Sequence, residues 1–307
     1  MGKKFTIGVL IGNVHTAHPK DLMRGIRAAA SGMDVNVIYF LGTQSVRFNQ
    51  KFALEDFDYQ YNTVYDYAKL AKVDVLIIAY GSLCIFQKNE DKQAFLDKFA
   101  GIPYVLLEDA TDDPRGIYVM VDNFGGMQKC VEHLIIEHHL KHLVYLGGPE
   151  DNQDAIERKA AFLNVMAEHH LPVTPEMMAV GDYSEFVDNL VEQLLKDNPD
   201  AEAIISANDE MTVACYRVCK AHGLRIGKDI LITGFDDVER ARYSNPPLTT
   251  ASQDAYKMGQ IAVEKAVDIC AGRPVESVRL DAELIIRESC GCKVTRRAKE
   301  KADEKTE

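Results

Sequence analysis

The chain has 307 residues, 47% hydrophobic and 27% charged, and a formal net charge of −12. That acidity excludes a surface that grips nucleic acid unaided, because phosphate binding needs clustered Lys and Arg. No run approaches the roughly 20 apolar residues of a membrane span, and seven cysteines at scattered spacings suit a reducing compartment.

Taken in order, the chain alternates strand and helix signals. Phe5 to Ile11 reads as a first strand: two lysines precede it as in a secretory leader, but no cleavage site follows, so a cytoplasmic protein is expected. Pro19 to Ala30 is a predicted helix with Leu22, Met23 and Ile26 on one face, closed by Gly32. Strands follow at Val35 to Phe40 and Val73 to Tyr80, separated by a long polar and aromatic segment whose tyrosines, Tyr59 to Tyr67, begin a helix and suit partial burial. A helix from Glu90 to Phe99, a strand from Ile102 to Leu107 and a stretch from Gly116 to Val121 lead to Asp122, which opens a helix running to about Glu137.

The alternation then restarts. Strands are expected at His142 to Gly148, Met178 to Asp182, Ile204 to Ala207 and Ile230 to Phe235, with helices over Asp154 to His169, Glu185 to Lys196 and Met211 to His222. A helix over Tyr256 to Ala271 and a strand over Glu283 to Arg287 complete the pattern, and residues after Cys292 are almost wholly charged or small. Short turns between βα units imply parallel sheets. The fold class is therefore α/β, with two Rossmann-like lobes: residues 1–138 plus 255–277, residues 139–254 plus 278–292, and a charged tail over 293–307.

Open α/β sheets bind ligands at the carboxyl ends of their strands. The polar residues that follow strands here are Asn13, His15 and His18, Ser82, Asn123, Arg158, Tyr183, Asn208 and Asp236. Together they supply carboxylate, amide, guanidinium and aromatic groups, a set that hydrogen-bonds hydroxyls and stacks on a sugar face. Reaction centres are not recognisable: there is no P-loop, no dinucleotide fingerprint and no G-x-S-x-G elbow. Cys215 and Cys219, one helical turn apart, read as core thiols. Cys290-Gly291-Cys292 has redox or metal potential but no nearby histidine in sequence, and His138, His139 and His142 lack zinc-site spacing, so solvated imidazoles, no metal and no cofactor are expected.

Several motifs occur in order: Val121-Asp122-Asn123-Phe124-Gly125-Gly126, Tyr145-Leu146-Gly147-Gly148-Pro149, Ala207-Asn208-Asp209-Glu210-Met211, Gly234-Phe235-Asp236-Asp237 and Pro246-Pro247-Leu248-Thr249-Thr250. From Phe5 to Cys290 the chain thereby resembles the effector-binding core of lactose-repressor and purine-repressor type transcription factors, related to periplasmic sugar-binding proteins. The resemblance implies two lobes joined by three crossovers, a ligand in the cleft between them, closure by a hinge and a homodimer. It carries the effector-contacting arginine onto Arg158, the stacking aromatic onto Tyr183, the pocket amide onto Asn208 and the hydroxyl-binding aspartate onto Asp236. The first-strand loop departs from it, having His18 and Pro19 where aromatics are usual.

The helix-turn-helix that precedes this core in repressors does not precede Phe5, so DNA contact would need a part outside this chain. The segment Phe40 to Tyr67 and the ending Ile286 to Cys292 look more like sensor variants fused to signalling outputs such as diguanylate cyclases or histidine kinases. The expectation is a non-catalytic cytoplasmic sensor of a small, sugar-like effector that regulates transcription or a signalling output. The alternative is the substrate-binding protein of a sugar importer.

Overall fold

A computed structural model describes residues 4–43, 58–83 and 89–293, with 58–61 and 89–91 described as backbone only. The chain forms two compact units, Met1–Val121 with Asp254–Leu280, and Asp122–Gln253 with Asp281–Glu307. It therefore passes between them three times, at 121/122, 253/254 and 280/281.

The first stretch runs β1 (Phe5–Gly12), α1 (Ala17–Ser31), β2 (Val35–Gly42), a 3-10 turn (Asp58–Asp66), α2 (Tyr67–Leu70), β3 (Val75–Ala79), α3 (Tyr80–Leu83), α4 (Asn89–Asp97), β4 (Tyr104–Leu107) and β5 (Gly116–Val121). The second unit contains α5 (Asn123–Glu132), β6 (Leu143–Gly147), α6 (Gln153–Glu168), β7 (Met178–Val180), α7 (Asp188–Asp197), β8 (Ala203–Ser206), α8 (Asp209–Ala221), β9 (Leu231–Asp236), α9 (Glu239–Tyr243) and β10 (Thr249–Ser252). Then α10 (Ala255–Cys270) and β11 (Val278–Leu280) return to the first unit, and β12 (Glu283–Ile285) to the second.

Among the described residues each unit holds a six-stranded sheet of the same order, β2-β1-β3-β4-β5-β11 in one and β7-β6-β8-β9-β10-β12 in the other. All pairings are parallel except that of β12 with β10. Parallel strands covered on both faces must be apolar throughout, which is why β3 is buried at every residue from Val75 to Ala79. In each sheet the order reverses at one strand, β1 or β6, and such a switch point opens a crevice at the carboxyl ends of the strands flanking it.

The lobe boundaries differ from the sequence expectation at three places, the smallest being Asp254, which falls in the first unit. Residues 122–138 belong to the second unit, because α5 packs on α6, β9, β10 and β12. A Cβ at Gly126 would lie 2.5 Å from Ala282 and 2.8 Å from Phe235, so only the bare backbone fits there. Residues 278–280 belong to the first unit, where β11 pairs in register with β5 from Val278 opposite Val119 to Leu280 opposite Val121. The strand pattern restarts near His142, but the helix that precedes it in sequence packs with the second unit in space.

Tyr65 is buried in the first unit's core against Phe95, whereas Tyr67 is exposed. The side chains of Tyr59 and Tyr61, and the charged run after Lys293, lie outside the described residues. No helix of the described residues is long and apolar enough to cross a membrane.

Candidate functional site

In the second unit the polar candidates converge on Arg158. Asn152 caps α6 by accepting a hydrogen bond from the Ala155 N–H at 2.9 Å, and Arg158 follows on the second turn, 2% exposed. Its Nε donates to Asn123 Oδ1 at 2.8 Å and its Nη1 to the Ala207 carbonyl at 2.7 Å. Nη1 also lies 3.5 Å from Asp236 Oδ1, and Nη2 lies 3.7 Å from Asp154 Oδ2. The guanidinium carbon is 3.8 Å from the centre of the Phe235 ring, a cation–π stack. Burial opposes the Arg158 charge, but nearby groups, Asp236 and Asp154 among them, hold its pKa above the usual value.

Nη2 is buried and has no hydrogen-bond partner among the described residues. A buried donor without a hydrogen bond costs about 1–3 kcal/mol, which the 3.7 Å ion pair with Asp154 offsets only in part, so an acceptor within hydrogen-bond reach would be favoured.

Asn123 is 1% exposed at the start of α5 and relays the network, its Nδ2 donating to Asp154 Oδ1 at 2.8 Å. Asp236 ends β9 with φ +121, and Asp237 follows at φ +54. Left-handed backbone at two successive non-glycine residues stores about 1–3 kcal/mol each, a strain typical of ligand-contacting loops. Gln253 Nε2 donates to Asp236 Oδ1 at 2.5 Å. Tyr183, after β7 and also at positive φ (+66), lays its ring over Gly148, where an added Cβ would sit 2.4 Å from it. Asn208 is committed locally: Oδ1 caps α8 through the Met211 N–H at 3.0 Å and Nδ2 donates to the Tyr183 carbonyl at 3.2 Å.

Beneath these residues lies Asp209, 2% exposed. It accepts from Thr250 Oγ1 at 2.7 Å and from the Val238 N–H at 3.1 Å. Burial first, and the Asp236 charge second, raise its pKa well above the carboxylate range. The unfolded chain sheds this proton above about pH 3.9 while the folded chain keeps it to a higher pH. Folding then takes up a proton, and stability falls as pH rises from about 4 to the raised folded value. Asp209→Asn reproduces the protonated carboxyl, with Nδ2 donating to Thr250 and Oδ1 accepting from Val238. Denaturant midpoints of the variant should vary less between pH 5 and 8 than those of the parent; an equally steep loss would place the titrating group elsewhere.

The first unit's candidates form a separate group. Asn13 takes φ +50 and its carbonyl accepts from the Thr16 N–H and hydroxyl, so it shapes the turn into α1. His15 is exposed. Ser82 is a clip: its Oγ accepts from the Gly12 N–H at 3.2 Å and donates to the Ala79 carbonyl at 2.8 Å. His18 Nε2 pairs with Glu108 Oε1. Glu108, 9% exposed at φ +70, also accepts from the Ser82 N–H at 3.1 Å and is the residue that sequence reasoning missed. An acid directly after the buried run Tyr104–Leu107 was the available signal. Asp154 and Gln253 were missed as well, being indistinguishable from helix-end polar residues. Cys215 and Cys219 are buried core thiols.

Residues 131–290, just over half of the chain, match the family described as periplasmic binding protein-like domain. The transcriptional regulator CelR of Thermobifida fusca is 30% identical over 216 residues, 67% of this chain and 62% of its own length. The transcriptional repressor PurR of Aliivibrio fischeri (strain MJ11) is 29% identical over 198 residues, 63% of this chain and 56% of its own length. The chain thus spans about three fifths of these curated relatives. A solved CelR–cellobiose complex aligns over 94% of this chain and 85% of its own with a TM-score of 0.77 at 23% identity, a likeness of fold. Both relatives are transcriptional regulators.

Proposed function

Because this chain belongs to the periplasmic binding protein-like domain family, in its lactose-repressor and purine-repressor branch, we propose that it is an effector-binding regulatory core whose ligand is a small carbohydrate. The observation that supports the reading is the buried Arg158, whose Nη2 has no hydrogen-bond partner among the described residues and only a 3.7 Å ion pair with Asp154, while its Nε is held by Asn123 and its Nη1 lies 3.5 Å from Asp236. A sugar hydroxyl accepts from that donor, and a neighbouring hydroxyl donates to the Asp236 carboxylate. Tyr183, whose ring lies against Gly148 near this network, is the aromatic group available for a sugar ring to stack on. A relative solved with cellobiose supports the same ligand class.

Regulation is the output of this reading, through a change of state that the effector favours only as far as its affinities for the two states differ. DNA would be reached through a separate segment, since a net charge of −12 gives this chain no electrostatic hold on phosphates. A homodimer and a cytoplasmic location belong to the same proposal.

Thermal unfolding against cellobiose, monosaccharides, nucleobases and amino acids tests it. A ligand at about 100 times its Kd adds roughly 2.7 kcal/mol of stability. Asp236→Asn should weaken the stabilising sugar by at least about tenfold, the loss of one charged hydrogen bond. Stabilisation by amino acids or nucleobases alone would refute the carbohydrate assignment. Full sugar affinity in Asp236→Asn would move the site elsewhere.

A further inference from the structure

At the far end of α5 from Asn123, four side chains point their ligand atoms at one another. They are His133, His138, Cys290 and Cys292, and their donor atoms all lie within 4.8 Å of one another. We propose that these residues form a structural zinc site of Cys2His2 type, in which two thiolates and two imidazole Nε2 atoms hold one Zn2+ tetrahedrally.

The distances match such a site. With Zn–S near 2.3 Å and Zn–N near 2.0–2.1 Å, a tetrahedral N–S edge is about 3.5 Å. His133 Nε2 lies 3.4 Å from Cys290 Sγ and 3.7 Å from Cys292 Sγ, and His138 Nε2 lies 3.4 Å from Cys292 Sγ. The two imidazole rings sit 5.0 Å apart at 76°, edge toward face, so both nitrogens reach one centre without the rings colliding.

The backbone explains how residues so distant in sequence arrive together. Five residues of an α-helix advance about 500°, which would turn His138 some 140° away from His133. Here the helix ends in a π turn, His133–Glu137, whose wider i→i+5 geometry brings His138 back to the same face. The cysteines come from a turn after β12 in which Gly291 takes φ +85. That turn is fastened to β9 next door, Ser289 Oγ donating to the Ile232 carbonyl at 2.6 Å and accepting from the Thr249 N–H at 2.8 Å.

The environment fits a cation. His133 is 7% exposed and Cys290 fully buried, and burial depresses the pKa of both histidines, leaving neutral rings with a lone pair to give. By themselves, burial and the Cys290 sulfur push the Cys292 thiol up to about 11; a divalent cation reverses that by stabilising the thiolate. On binding, each cysteine releases its S–H proton to solvent and donates a sulfur electron pair, and the two thiolates neutralise the ion. Two sulfurs and two nitrogens in this arrangement select zinc among common divalent ions. Four protein ligands leave no open position, which makes the site structural: it staples the end of α5 to the turn at 289–292. Of the three histidines expected to be solvated, His139 is exposed and His142 half-buried, whereas His138 is half-buried against the His133 ring and Cys292.

The test uses the full chain, purified under reductant and without chelator. Elemental analysis should find about one zinc per chain. Replacement by Co2+ should give thiolate-to-cobalt charge-transfer absorption with the visible bands of tetrahedral cobalt. Cys292→Ser and His138→Gln, both at partly exposed positions, should fold, lose most of the zinc and alter those bands, and a chelator should lower the Tm of the parent but not of Cys292→Ser. Parent protein that holds no zinc and gives no cobalt charge-transfer band would overturn the proposal. So would full zinc content in both Cys292→Ser and His138→Gln, which would place the metal elsewhere.

Discussion

Arg158→Ala is expected to destabilise the second unit by about 3–5 kcal/mol, the range for removing one partner of a buried ion pair. The side chain is 2% exposed and satisfies the Asn123 amide oxygen and the Ala207 carbonyl while facing two carboxylates, Asp154 and Asp236. Truncation leaves those acceptors unpaired, sets like charges facing each other and empties the space above the Phe235 ring. Denaturant unfolding monitored by circular dichroism reads the loss, and sugar titration of the surviving folded fraction should show no stabilisation. Arg158→Lys separates charge from geometry: it keeps the positive charge but cannot place donors on Asn123, Ala207 and Asp236 together. A loss below about 1 kcal/mol in Arg158→Ala would mean that the network is hydrated and contributes as a surface pair does.

Gly25→Ala is expected to cost about 3 kcal/mol, at the upper end for overpacking, in the first unit. Its Cβ would stand 1.9 Å from the Tyr256 carbonyl oxygen, and one at Gly259 would stand 2.4 Å from the Leu22 carbonyl oxygen. Helices α1 and α10 therefore touch backbone to backbone, and neither wall of the contact is a flexible side chain that could move aside. The helices must separate, uncovering Leu22, Ile26 and Met258, which are fully buried. Gly32→Ala is the control, because its Cβ meets only the Ala29 carbonyl at 3.6 Å and its φ of −86 suits any residue. Urea midpoints should fall for Gly25→Ala and stay within about 0.5 kcal/mol for Gly32→Ala. Equal midpoints would show that α1 and α10 do not depend on close approach.

Fold class was legible because it rests on local signals. A buried parallel strand must be apolar along its length, as in Val75–Ala79 and in β8 up to Ile205, and a helix must satisfy its first N–H groups, as Asp122, Asn152 and Asn208 do by capping α5, α6 and α8. Those requirements act within a few residues, so they are written along the chain. The polar residues after β8 and β9 were legible for the same reason: a run that turns abruptly from Ile and Phe to Asn and Asp marks a sheet edge.

What the tertiary structure decided is which of these edge residues are occupied with the protein itself. Ser82 and Asn208 have the same polar character as Asp236, yet one ties Gly12 to Ala79 and the other caps α8, whereas Arg158 keeps one amino group, Nη2, without a hydrogen bond among the described residues. Hydrogen-bond saturation depends on neighbours brought from distant strands, and no local pattern records it. The histidine–cysteine cluster is the clearest case. Cys290-Gly291-Cys292 had no histidine beside it in sequence, and His133 and His138 had the wrong spacing for an α-helix. Only the π turn at the end of α5 and the fastening of residue 289 to β9 bring the four ligand atoms within 4.8 Å of one another.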